Sequence, residues 1–217
     1  MRVPLTPSAR TAVVSAAAFL VLLALVAARW GPLLSFDRAA AVGLHRQALA
    51  DPGLTRVVRV FSDWVWAPWT MRALTVAAAV TVFRLRADRR FAAWLLGVAL
   101  VEWGLQQAVK SAVGRDRPRW RHPVDSAHFA AFPSGHAMAA TVACGLLLWV
   151  LRREGAAGAR WGAALAVAAL SAVGVGFTRL WLGVHWVSDV LAGWLLGGCL
   201  VALSVACYER LALSRGR

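Results

Sequence analysis

The chain has 217 residues; 60% are hydrophobic and only 16% are charged, yet its formal net charge is +14. That hydrophobicity excludes intrinsic disorder, and the basic residues, all arginine except Lys110, sit in short clusters between long apolar runs. The pattern argues against a nucleic-acid-binding domain and fits an all-α, polytopic membrane protein with basic loops, a single domain over 1–217.

Six stretches approach the roughly 20 helical residues needed to cross a hydrocarbon core of about 30 Å. They are 9–28, 67–83, 91–109, 136–151, 161–177 and 185–207, which predicts six transmembrane helices. The first has a basic start and an apolar core, as a signal peptide does, but its core is long and no small-x-small cleavage site precedes Arg29, so it reads as a retained helix. Between the first two spans, 30–65 forms a long external segment with a turn at Asp51–Pro52–Gly53, and part of it is expected to lie in the interface as an amphipathic helix.

The loops set the orientation. With the N-terminus cytoplasmic, 12 basic residues fall inside and 11 outside, with Arg72 inside the second span. The inner set is packed into short loops (Arg84, Arg86, Arg89 and Arg90, then Arg152, Arg153 and Arg160), so both termini are expected in the cytoplasm of a plasma-membrane protein. Tryptophans gather near the two interfaces, and only Trp103 and Trp194 fall near mid-span. Cys144, Cys199 and Cys207 all lie in apolar runs, an odd number that suits small buried hydrophobes rather than a disulfide framework.

Three clusters carry chemistry, and the topology brings all of them to the outer face. The first runs from Lys110 to Arg117–Pro118, the second is Pro133–Ser134–Gly135–His136, and the third joins Thr178–Arg179 to His185 and Asp189. Lys110, Arg117 and Arg179 supply fixed charge and donors suited to phosphate. Ser134 and Gly135 stand at the start of a helix, where free N–H groups and the dipole favour an anion and glycine permits close approach. His185 and Asp189 are four apart and share a helix face, so the carboxylate can fix the imidazole tautomer and leave the other nitrogen nucleophilic. His136 has the chemistry of a second, acid–base histidine.

These clusters resemble the signature of the phosphatidic acid phosphatase type 2 superfamily: Lys-x6-Arg-Pro, Pro-Ser-Gly-His and Ser-Arg-x5-His-x3-Asp. The first two match in full, and the third differs only in Thr178 where the family has Ser, which keeps the hydroxyl. The resemblance implies a six-helix membrane lipid phosphatase with no metal or other cofactor. It casts His185 as nucleophile, Asp189 as its orienting carboxylate and His136 as acid and then base. Lys110, Arg117, Ser134, Gly135 and Arg179 would bind the phosphoryl oxygens. The implied substrates are lipid phosphates of the phosphatidic acid, phosphatidylglycerol phosphate or undecaprenyl diphosphate type, with specificity expected in 30–65 and 119–132. The same residues would serve a phosphotransferase that uses a lipid or sugar acceptor. A non-catalytic lipid-binding or transport protein is the alternative outside enzymes, and the intact His136, His185, Asp189 and Arg179 count against it.

Outside the motifs, Glu102, Gln106 and Lys110 form a polar stripe at i, i+4 and i+8, with Glu102 about 12 Å along the helix from Lys110. An interhelical hydrogen bond is expected for Glu102, with a role near the site as the alternative. Arg72 is expected to snorkel or to bond across helices. Arg115, Arg119 and Arg121 read as solvated loop charge or headgroup contacts, Asp116 as the partner of a nearby arginine, and His45 as a surface residue. His122 and His128 lie in a loop that could touch substrate. Gly193, Gly197 and Gly198 read as close-packing positions.

Overall fold

A computed structural model describes residues 6–215. Arg2 and Arg217, both counted toward the topology, lie outside them. Among the described residues there are no strands, and the helices are α1 (Pro7–Ala27), α2 (Gly31–Ala50), α3 (Pro52–Val60), α4 (Pro68–Arg86), α5 (Arg89–Val113), α6 (Gly135–Arg153), α7 (Gly158–Trp181) and α8 (Val187–Arg215), with a π-helical turn at Phe61–Val65 joining α3 toward α4. Their starts are written locally. Thr6 caps α1 by accepting from Ala9 N–H at 3.2 Å, Asp51 caps α3 from Leu54 N–H at 2.8 Å, and Asp88 caps α5 from Phe91 N–H at 3.0 Å. Proline occupies the first turn of α1 to α4. Asp51–Pro52–Gly53 is therefore a helix junction, and the 30–65 segment is helical along most of its length.

Among the described residues five helices are long and apolar enough to cross a membrane: α1, α5, α6, α7 and the Val187–Ala212 part of α8. The second expected span does form a helix, α4, but it is not one of the five. Its length of 19 residues is sufficient; Arg72 and the arginines of its last turn lower its hydropathy. Arg72 reaches from α4 to α5, where Nε donates to Glu102 at 3.0 Å and Nη2 to Gln106 at 3.2 Å. Glu102 is 1% exposed. The interhelical bond expected of Glu102 and Arg72 is thus present.

The helices form a bundle around α6. Its small residues Ala137, Ala139, Ala140 and Ala143 are buried, which lets α8, α7 and α4 approach closely. Two aromatic-lined clusters fill the rest. Toward one end Phe91, Leu95 and Leu146 pack with Trp94, Trp149 and Tyr208; toward the other Phe19 stacks on Phe132 beside Met138 and Leu196. At the first end Arg86 pairs with Glu154 and Arg153 with Asp88, so the arginines of the short loops are tied across the helix junctions. The motif-bearing ends of α5, α6, α7 and α8 lie at the other. The three cysteines are free and half-buried.

Two of the three α8 glycines are packing positions. A Cβ at Gly193 would stand 2.7 Å from the Ser134 carbonyl oxygen and 2.9 Å from Ala137 Cβ, and one at Gly197 3.0 Å from Thr141 Cβ. At Gly198 the nearest atom is 3.9 Å away, so close packing does not hold there. Gly193→Ala is therefore expected to destabilise the protein by about 1–3 kcal/mol, because backbone cannot yield. Gly198→Ala should be neutral or slightly stabilising, since alanine is the better helix former. Melting followed by tryptophan fluorescence in detergent checks this; equal midpoints for the two variants would contradict the packing.

Candidate active site

Helix ends place the reactive groups. α5 stops at Gly114, whose φ of +59° favours glycine, so Arg115 to Pro118 leave the helix and cross the mouth of the bundle. α7 ends in a turn through Gly183, where φ is +67° and a Cβ would stand 2.6 Å from Trp120 Nε1. That turn delivers His185 just ahead of α8. Ser134 N–H donates to the Asp189 carbonyl at 2.9 Å, joining the start of α6 to the start of α8.

His185 is 1% exposed and sits between two partners. Its Nδ1 lies 3.3 Å from Asp189 Oδ2, and its Nε2 3.0 Å from Arg117 Nη1. Asp189 and Arg117 fix the tautomer: Nδ1–H donates to the carboxylate, and the Nε2 lone pair accepts from the guanidinium. Burial, then the charges of Arg117, Arg179 and Lys110, push the imidazole well below its ordinary pKa and keep it neutral. Burial also lowers the Arg117 guanidinium, though Asp189 offsets part of this.

The three motif cations are solvated mainly by neutral oxygens. Arg117 donates to the carbonyls of Val184 (2.6 Å), Phe129 (2.9 Å) and His128 (3.1 Å), Lys110 to that of Ala130, and Arg179 to the Ser62 hydroxyl at 2.6 Å. Arg179 Nε and Ser134 Oγ are buried with no protein partner. Arg179, His185, Arg117 and Lys110 all lie close enough to act electrostatically on His136. The structure thus gathers every motif residue at one end of the bundle. An open cavity of about 500 Å³ borders Arg117, Phe129 and Gly183 but not His185. His185 lies deeper, behind the Arg117 side chain.

Several readings change. Arg115 is not solvated loop charge: Nη1 donates to Asp189 Oδ1 at 2.6 Å and Nη2 to Asp37 Oδ2 at 2.7 Å. His45 is buried, and its ring stacks on Trp120 with centroids 4.0 Å apart. The Thr178 hydroxyl bonds the Val175 carbonyl of its own helix at 2.9 Å. Asp116 does pair with Arg119, at 2.8 Å on the surface. The space a Gly135 Cβ would need is filled by Gln106, with Nε2 at 2.1 Å, so any larger residue there would have to displace that side chain. Among the described residues no three His, Cys, Asp or Glu side chains converge as metal ligands.

A model of the PAP2 superfamily matches residues 91–212. The chain belongs to the PAP2 superfamily. Among curated relatives, an undecaprenyl-diphosphatase of Sulfolobus acidocaldarius is 41% identical over 75 residues, covering 35% of this chain and 32% of that protein. A phosphatidylglycerophosphatase B of Bacillus subtilis is 35% identical over 108 residues, covering 49% of this chain and 53% of that one. These alignments span a third to a half of the relatives' lengths. The crystal structure of a transmembrane PAP2-type phosphatidylglycerolphosphate phosphatase from Bacillus subtilis superposes with a TM-score of 0.81 at 26% identity, over 92% of this chain and 96% of that one.

The PAP2 region holds all three motifs, but the site extends beyond it. Asp37, Thr55 and Ser62 come from the helices ahead of residue 91: Ser62 holds Arg179, and Thr55 accepts from Trp181 Nε1 at 2.9 Å. The sequence offered one signal for Asp37, an acid in a stretch otherwise apolar or basic. Ser62 and Thr55 carried none. The Gly135 contact yields a test. Gly135→Ala should lower the melting midpoint by displacing Gln106, and adding Gln106→Ala should recover most of the loss; no recovery would show that the clash lies elsewhere.

Proposed function

We propose that this PAP2 protein is an integral-membrane phosphatase that hydrolyses a lipid phosphomonoester or diphosphate through a phosphohistidine intermediate, without a metal ion. The observation that carries this reading is the setting of His185, neutral, backed by Asp189, with Nε2 facing uncompensated cations. The names of the relatives and the structural neighbour support a lipid phosphate as substrate.

In the first step Arg117 Nη1 leaves Nε2 for a phosphoryl oxygen, and the freed Nε2 lone pair forms a bond to phosphorus while the bond to the lipid oxygen, or to the bridging oxygen of a diphosphate, breaks. His136 gives that oxygen a proton. Asp189 stabilises the positive charge that the imidazole gains. In the second step His136 takes a proton from water, the hydroxide attacks phosphorus, and the N–P bond returns its pair to His185. Lys110, Arg117 and Arg179, with the amides at the start of α6, hold the phosphoryl oxygens. Among the described residues none of the three forms a salt bridge with a carboxylate, and Asp125 and Asp63 act on Arg179 only at longer range, so their charge can stabilise the transition state. Arg179 Nε and Ser134 Oγ, buried without protein partners, are suited to those oxygens.

We further propose that α4 is the sixth span. Its outward face, with Trp69, Leu74, Val76, Val80 and Phe83, is apolar and exposed, and Glu102 neutralises Arg72. Six spans put both termini on one side, with the arginine-dense loops cytoplasmic and the site at the outer leaflet. The chain then acts as one domain.

Phosphate release from a panel of phosphatidic acid, phosphatidylglycerol phosphate and undecaprenyl diphosphate in detergent tests the reading. Activity should resist EDTA and be inhibited by vanadate, and His185→Ala should lower kcat by about 10³-fold or more. Full activity in His185→Ala, or strict dependence on Mg²⁺, would refute the mechanism. Release that requires an added lipid or sugar acceptor would make the enzyme a transferase.

A further inference from the structure

Asp37 lies in α2, ahead of the PAP2-matched region, and is 1% exposed. A carboxylate is costly to bury, and this one is met by three donors: Ser188 N–H at 2.9 Å, the Ser188 hydroxyl, and Arg115 Nη2 at 2.7 Å. Asp189 is likewise met by three: Arg115 Nη1 at 2.6 Å, Trp186 N–H at 2.9 Å and His185 Nδ1 at 3.3 Å. A single guanidinium therefore spans two buried carboxylates, and it also donates to the Ser188 hydroxyl at 2.6 Å. Asp37 caps the first turn of α8 from another helix, where the dipole favours an anion.

We propose that Asp37 and Arg115 are positioning residues that fix Asp189 and set the charge behind His185. The inference rests on the phosphohistidine reading. With Arg115 alone, Asp189 would be neutralised and the nucleophile would have no net negative charge behind it. Asp37 restores a net charge of minus one across the Asp37–Arg115–Asp189 bridge. When Nε2 attacks phosphorus the imidazole becomes cationic, with Lys110, Arg117 and Arg179 on its other side. A net anion behind the ring stabilises that state more than the neutral ring of the ground state, and the bridge holds the carboxylate within reach of Nδ1. Phosphate binding, made by the opposite cations, does not depend on it.

The test uses the full chain in detergent with a short-chain phosphatidic acid. Four quantities are measured: kcat, KM, inhibition by inorganic phosphate and inhibition by vanadate, whose five-coordinate adduct on a histidine nitrogen resembles the transition state. Asp37→Asn should lower kcat about tenfold or more and raise the vanadate inhibition constant in parallel, with KM and the phosphate constant within about twofold. Asp37→Glu should recover part of both losses. A merely structural role would lower the active fraction, and hence kcat, while leaving the vanadate constant of the remaining enzyme unchanged; that result would overturn the proposal. Should Asp37→Asn fail to fold, Arg115→Lys carries the test, because an ammonium cannot hold both carboxylates as a fork does. A wild-type vanadate constant there would overturn the bridge. If His185→Ala abolishes activity while these variants behave as wild type, the bridge alone fails. If His185→Ala stays active, the nucleophile reading fails and the bridge with it.

Discussion

The site depends on buried and half-buried cations that are not paired with carboxylates. Lys110, Arg117 and Arg179 reach the motif-bearing end of the bundle and are solvated by carbonyl and hydroxyl oxygens, which supply dipoles but no opposing charge. Two half-buried guanidinium groups are treated differently. Arg72 is paired with Glu102, and Arg115 lies between Asp37 and Asp189. The chain thus separates arginines paired with carboxylates from arginines held by neutral oxygens, the ones proposed to meet a phosphate. Neutral acceptors make the second kind tolerable at low dielectric, and the cost of burying net positive charge is offset only when an anion arrives.

That arrangement explains the local backbone. Carbonyls point at Arg117 because the chain leaves α5 at Gly114 and crosses the bundle as an irregular segment; a continuing helix would have spent those carbonyls on its own hydrogen bonds. Non-helical backbone near a membrane is tolerable where protein satisfies it, as here. The same crossing puts Arg115 and Arg117 on opposite sides of the His185–Asp189 pair, one behind the carboxylate and one before the imidazole.

The helices ahead of the PAP2-matched region act as a brace. α2 supplies Asp37 to α8, α3 supplies Thr55 to Trp181, and the π-helical turn supplies Ser62 to Arg179. A π-turn widens the helix by one residue per turn and shifts the side chains that follow, which suits a serine that must meet one guanidinium. The expectation of an interfacial amphipathic helix captured that this segment is helical. It missed that the inward face is part of the site, because its few polar residues carry no motif.

Periodicity and spacing by themselves determined the all-helical membrane class, the ends of most helices within a few residues, and the convergence of Lys110, Arg117, His136, Arg179, His185 and Asp189. Apolar runs and motif spacings are local properties, so sequence records them directly. Tertiary structure alone decided which arginine does what. Arg115 and Arg117 are two residues apart and chemically identical, yet one is paired to carboxylates and the other is held by carbonyls. It also decided that His45 is buried against Trp120 and that Gly135 makes room for Gln106. The physical reason is common to all three: each depends on a partner outside its own helix or turn, and the sign and strength of an electrostatic or packing contact are set by that partner and its distance, which local sequence does not encode.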